Sequence, residues 1–174
     1  MFTHQSKVAL GAALMVLLFA IPAMFGHAGA VTVDVSIPGF SFSPSTVTVN
    51  VGTTVRWTNN HSISHTTTST TALWDSGILA QGEQFSHVFS SAGTFPYLCT
   101  LHLGMTGTVV VYVCGDANAS GGDPAVDIDD IVFLINYVFG GGPAPVPLAA
   151  GDANCSGGDP AVDIDDIVYL INYV

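Results

Sequence analysis

A 24-residue segment occurs twice in the last third of the chain, and this duplication constrains the fold more than any other feature. The stretch Gly115 to Val138 returns 36 positions later as Gly151 to Val174, with Ala119 answered by Cys155, Phe133 by Tyr169, and every other position unchanged. Each copy opens on an acidic, glycine-rich loop and continues as an apolar run. Ile131, Leu134, Ile135 and Val138 fall at helical spacing, as do Ile167, Leu170, Ile171 and Val174. The connector 140–147 is too rich in Gly and Pro for helix or central strand. One copy alone cannot bury its stripe, so the pattern predicts two short helices, each led by a loop, packed on one another. The preceding domain therefore ends near Val113.

Upstream of that boundary the periodicity is two. Val31, Val33, Val35 and Ile37 alternate with polar residues. So do Val47, Val49 and Val51, then Val55 and Trp57, then Val109, Val111 and Val113. Breaks at Pro38-Gly39, Val51-Gly52 and Ala92-Gly93 mark the turns. Seven or eight short half-buried strands within 31–113 predict a β-sandwich.

Residues 1–30 read as a secretion signal. Lys7 supplies the positive start, Val8 to Phe25 the apolar run, and Ala28-Gly29-Ala30 the small-residue cleavage site. A membrane anchor is the rival reading, since the run is nearly long enough to span. With cleavage no membrane insertion remains, and the mature protein is expected outside the cytoplasm, secreted, periplasmic or at the cell surface. The net charge of −11 is concentrated in the repeats, where 114–174 holds ten Asp and no Lys, Arg or Glu. Nucleic acid is excluded as a partner, because 31–174 holds a single Arg, Arg56, and no Lys to set against phosphate.

Between the last two strand patterns runs Phe95-Pro96-Tyr97-Leu98-Cys99-Thr100-Leu101-His102-Leu103-Gly104-Met105. It spaces a thiolate, an imidazole and a thioether three residues apart. A second imidazole, His65, follows Trp57-Thr58-Asn59 upstream. Two His and one Cys in a trigonal set with a weak axial Met form the ligand set of a blue-copper electron-transfer centre. A dinuclear copper site would need a second Cys in the ligand loop, and a trinuclear cluster would need His-x-His pairs; the chain has neither. His61 reads as exposed loop, and His87, between Phe85 and Phe89, as structural.

Residues 31–113 resemble the plastocyanin and amicyanin branch of the cupredoxins. The resemblance rests on Gly93-Thr94-Phe95-Pro96-Tyr97, the Cys-x-x-His-x-x-Met loop, Gly107-Thr108-Val109 and Trp57-Thr58-Asn59. It implies a Greek-key β-sandwich, one type 1 copper held by His65, Cys99, His102 and Met105, and no enzymatic activity. It also implies a redox protein partner docking near His102, in a rim of Leu101, Leu103 and Ile63. Thr66, beside His65, is the candidate tie between the two ligand loops. A copper carrier or buffer with no redox partner uses the same ligands. A non-redox secreted adhesion or scaffold protein is the reading from a different class.

In the repeats, Asp116, Asn118 and Ser120 alternate like the opening calcium ligands of an EF-hand loop, with Asp127 and then Asp130 completing the set. Asp152, Asn154, Ser156, Asp163 and Asp166 repeat it. Residues 114–174 resemble the dockerin type I duplicated repeat, which implies a small helical module with calcium (two ions) and a cohesin-like or cell-surface partner. Two departures weaken the match: Ser120 and Ser156 replace a carboxylate, and about three extra residues lengthen each loop. Asp123 and Asp159, in the added residues, either ligate or cap the bulge. Cys114 and Cys155 either form a disulfide or stand as exposed thiols.

Overall fold

The structure is a computed structural model that describes residues 31–121, 125–155 and 162–174. The signal reading of 1–30, and Ser156, Asp123 and Asp159 among the candidate ligands, lie outside the described residues. Among the described residues no helix is long and apolar enough to cross a membrane.

Eight strands build the first part: β1 (Thr32–Gly39), β2 (Ser41–Ser43), β3 (Thr46–Asn50), β4 (Thr54–Asn59), β5 (Thr68–Ser69), β6 (Gln84–Val88), β7 (Gly93–Leu98) and β8 (Thr106–Tyr112). They form two four-stranded sheets, ordered β2-β1-β4-β6 and β3-β8-β7-β5. Both sheets are mixed. β1 runs parallel to β4, and β3 parallel to β8, while the other pairs are antiparallel.

Alternation in the sequence becomes alternation in burial. Register pairs Val33 with Val55 and Val35 with Trp57, so one face of β1 and β4 enters the core. Val35, Ile37, Val55 and Trp57 are fully buried, facing Val47, Val49, Tyr97, Val109 and Val111 of the other sheet. Each such side chain stabilises the fold by roughly 1.5–3 kcal/mol on burial. On the outer face Asp34 pairs with Arg56 through two hydrogen bonds of 2.6 and 2.9 Å. The guanidinium holds the Asp34 carboxyl below its ordinary range. Both partners are exposed, so the pair contributes little to stability. The sandwich therefore rests on its aromatic and β-branched interior, and one end of that interior carries the donor set described below.

The second part contains α1 (Ile128–Gly140), a 3-10 turn (Leu148–Ala150) and α2 (Ile164–Tyr173). Asp127 and Asp163 are the N-caps. Each carboxylate accepts a backbone N–H of the first turn, while Asp130 or Asp166 reaches back to the cap's own N–H. Ile131 and Leu134 pack against Ile167 and Leu170, with Ala117, Ala153 and Val162 filling between. Ile135, Ile171 and Val174, expected in the buried stripe, are instead exposed, as are Ile128, Val132, Val168 and Phe139. Among the described residues each helix packs on one other helix, which covers only one side of a helix that is apolar nearly all round. Cys114 and Cys155 form a disulfide across 41 residues, fastening the end of the sandwich to the second acidic loop.

Candidate metal centre

β7 ends at Leu98 and delivers Cys99; β8 starts at Thr106 and follows Met105. The loop between them is closed from inside. Cys99 N–H donates to the Met105 carbonyl at 2.9 Å, and Met105 N–H donates to the His102 carbonyl at 3.3 Å. Gly104 adopts φ +80, which lets the chain turn back within this short span. Three of the four sequence-predicted ligands are thus fixed by one tight turn.

His65 comes from another part of the chain, outside the eight strands. It lies between β4 and β5, in an isolated bridge where His65 and Leu79 exchange backbone hydrogen bonds of 3.1 and 2.8 Å. One residue pair is enough to pin the backbone, but the chain turns before a ladder can extend. Asn59, fully buried, braces this segment by donating to the carbonyls of Ile63 and Leu79.

The donors converge. Cys99 Sγ lies 3.3 Å from His102 Nδ1 and 3.8 Å from His65 Nδ1. Among the described residues, His65, Cys99 and His102 are the group of three ligating side chains gathered within 4.8 Å of one another. A first-row ion bonded at about 2.0 Å to nitrogen and about 2.3 Å to sulfur, centred in a trigonal plane, separates those atoms by roughly 3.7 Å, so the spacing fits. His65 is fully buried, Cys99 and Met105 nearly so, and His102 half-buried. Burial first, then the neighbouring His102 and His61 rings, hold the His65 pKa below its ordinary value. A neutral imidazole with a free lone pair is what ligation requires.

Thr66 ties the two ligand segments together, as anticipated. Its backbone N–H donates to Cys99 Sγ at 3.3 Å, and its hydroxyl accepts the Thr100 N–H at 2.8 Å. A donor aimed at the sulfur stabilises thiolate character and fixes its direction. His87 is structural: it stacks on Trp74 at 5.1 Å, and burial lowers its pKa.

Two residues at the site escaped sequence reasoning. His61 is half-buried rather than exposed, and its Nδ1 lies 3.0 Å from His65 Nε2. Phe40, at the β1–β2 turn, meets the rings of His61, His65 and His102 edge-on at 5.1, 5.9 and 5.0 Å. Neither sits in a motif. The contacts arise only once the turn folds over the ligand loops.

The acidic loops are less convergent. Asp127 and Asp130 serve as helix caps; Asp130 also accepts the Asn118 N–H at 3.1 Å. Ser120 N–H is bound by the Asn118 side chain, and Gly121 N–H by Asp116. In the second copy Asp166 accepts the N–H groups of Ala153 and Asp163. Asp116, Asp127 and Asp130 are not drawn to within ion-sharing distance of one another as the copper donors are.

A two-sheet sandwich carrying His, Cys, His and Met at one end defines a mononuclear blue-copper protein. Residues 29–112 match the copper binding proteins of the plastocyanin/azurin family. Plastocyanin of Scenedesmus fuscus is 36% identical over 83 residues, covering 40% of this chain and 85% of that protein. The chloroplastic plastocyanin of Tetradesmus obliquus is 30% identical over 118 residues, covering 60% of this chain and 81% of the relative. A solved purple cupredoxin from Nitrosopumilus maritimus shares 33% identity over 45% of this chain and 97% of its own, with a TM-score of 0.43. The chain belongs to the plastocyanin/azurin family, whose plastocyanins are electron carriers rather than enzymes.

Proposed function

We propose that this protein carries single electrons between redox partners outside the cytoplasm, through a type 1 copper site held by His65, Cys99, His102 and Met105. The observation that carries the reading is the convergence of Cys99 Sγ with two Nδ1 atoms at 3.3 and 3.8 Å in a largely buried pocket. Bound copper supplies one-electron chemistry between its cupric and cuprous states. The chain keeps the donors in one arrangement for both. The Thr66 bridge, the His65–Leu79 bridge and the Cys99–Met105 backbone bond leave the ligands little freedom to rearrange, which keeps the reorganisation energy low.

Electron entry and exit are assigned to the His102 side. That ring is only half-buried, and around it Phe40, Ile63, Leu101 and Leu103 are exposed, Leu103 completely. An apolar rim around a ligand edge suits brief docking of a redox partner, because it desolvates easily and carries no charge pair to break on release. The Cys114–Cys155 disulfide favours an oxidising compartment, in line with a cleaved leader over 1–30.

The repeats are read as a calcium-stabilised attachment module of dockerin-like type. Asp116 is 7% exposed, and among the described residues its Oδ1 has no hydrogen-bond partner. Burial, then the Asp130 and Asp127 carboxylates, push its pKa up. No Lys or Arg lies in 114–174 to offset these charges, which supports the calcium reading. The exposed apolar sides of α1 and α2 offer a surface for a cohesin-like or cell-surface protein.

Copper-loaded protein on an electrode, with self-exchange followed by NMR line broadening, tests the carrier role. Fast exchange, slowed by Leu103→Glu with the absorption spectrum unchanged, is expected. Slow exchange insensitive to Leu103→Glu would favour a copper buffer instead.

A further inference from the structure

His65 has two ring nitrogens, and only one faces the metal site. Its Nδ1 points toward Cys99 Sγ at 3.8 Å, while its Nε2 lies 3.0 Å from His61 Nδ1. The tautomer follows from this division. A ligating Nδ1 offers its lone pair, so the ring proton resides on Nε2. The fully buried Nε2–H is then a donor that must find an acceptor. His61 Nδ1 is that acceptor, which places the His61 proton on its own Nε2.

We propose that His61 is a positioning residue of the copper centre: it accepts the His65 Nε2–H, selects the tautomer that presents Nδ1 to the metal, and raises the donor strength of His65 toward the cupric ion. Three further observations show that the geometry is built. The two rings lie edge to edge and near coplanar, with centroids 5.3 Å apart and planes 29° apart, the arrangement an in-plane N–H···N bond requires. The His61 backbone N–H is held by the Asn59 side chain at 2.9 Å, and the same Asn59 braces the carbonyls of Ile63 and Leu79 on either side of His65. Phe40 meets both rings edge-on, at 5.1 and 5.9 Å.

The inference rests on the copper reading, but it can fail while that reading stands. An acceptor on the remote N–H gives the imidazole partial imidazolate character, which favours the higher oxidation state. Loss of such outer partners typically weakens metal binding by roughly 10–100-fold. His61→Leu removes the acceptor, whereas His61→Asn keeps an oxygen at the δ position. In copper-loaded protein His61→Leu is expected to lose about tenfold in cupric over cuprous affinity, a rise in midpoint of about 59 mV. His61→Asn should stay near wild type. In cuprous wild-type protein, 15N NMR should show a through-hydrogen-bond coupling between His65 Nε2 and His61 Nδ1, a readout that needs no variant to fold. The proposal is overturned if that coupling is absent, if His61→Leu leaves the midpoint and the His65 15N shifts unchanged, or if His61→Asn shifts the midpoint as far as His61→Leu. A wild-type protein that takes up no copper would sink the copper reading itself.

Discussion

Replacing Gly107 with alanine should loosen the copper site from a distance, through one ring. Gly107 pairs with Tyr97 across β7 and β8. A Cβ at position 107 would overlap Tyr97 Cζ and would lie 2.5 Å from its Oη and 2.8 Å from its Cε1. Ordinary carbon contact begins near 3.5 Å, so the ring must retreat by about 1 Å. It has nowhere to go: Tyr97 is 1% exposed, with Phe42 at 4.6 Å and Trp57 at 5.3 Å. Gly107 is not at positive φ, so alanine adds no backbone strain and the cost is overpacking, roughly 1–3 kcal/mol. Because Tyr97 is two residues before Cys99 on the same chain, part of that shift reaches the sulfur. Denaturant unfolding of the metal-free protein measures the first effect, and the thiolate–copper absorption band of the loaded protein the second. Combining Gly107→Ala with Tyr97→Leu should recover at least half of the loss. If Gly107→Ala is neutral, or if the two changes are strictly additive, the ring-contact reasoning is wrong.

Met105→Leu should keep copper and colour while raising the midpoint by tens of millivolts, since a weak axial donor to the cupric ion is removed; a colourless variant would contradict the axial role, and voltammetry decides. Burial pushes the Tyr97 pKa from 10.0 up to about 12. The folded state then holds a proton that the unfolded state releases, so stability is intact below pH ~10 and falls by up to ~2.7 kcal/mol toward pH ~12; Tyr97→Phe should flatten that alkaline loss in unfolding titrations. Calcium at about a hundred times its dissociation constant should stabilise 114–174 by about 2.7 kcal/mol per site, and chelation should reverse this in calorimetry without changing the copper spectrum. In the calcium-free protein Asp116 and Asp166 are held above 3.8 by burial. The folded state therefore binds more protons, and stability of the repeats should fall as pH rises through that raised range.

Local features were legible and tertiary ones were not. Cys99, His102 and Met105 could be read because one short loop holds all three, and spacing within a turn is nearly geometry. The sandwich could be read from period-two runs such as Val47, Val49 and Val51, which are buried or half-buried as predicted. The parallel pairing of β1 with β4 could not, because alternation fixes which face is buried but not which strand lies beside which. His61 was misjudged for a related reason: an Asn-rich turn looks solvated until Phe40, about twenty residues earlier in the chain, folds onto it. In the repeats Asp127 and Asp130 were read as ion ligands. The helix start uses the same carboxylates as caps, and sequence alone does not separate the two uses of an acidic residue before an apolar run. Ile135 and Ile171 were assigned to the core by spacing, yet among the described residues the partner helix buries Ile131, Leu134 and their counterparts and leaves these two exposed.

Titrating copper-free protein with Cu(II), while recording visible absorption and electron paramagnetic resonance, is the most direct test of the metal centre. One equivalent should produce a saturating, intense thiolate charge-transfer band with a narrow copper hyperfine splitting, and Cys99→Ser should abolish both. A pale complex with wide splitting, or colour that survives Cys99→Ser, would mean that the sulfur at 99 and the rings at 65 and 102 do not share an ion.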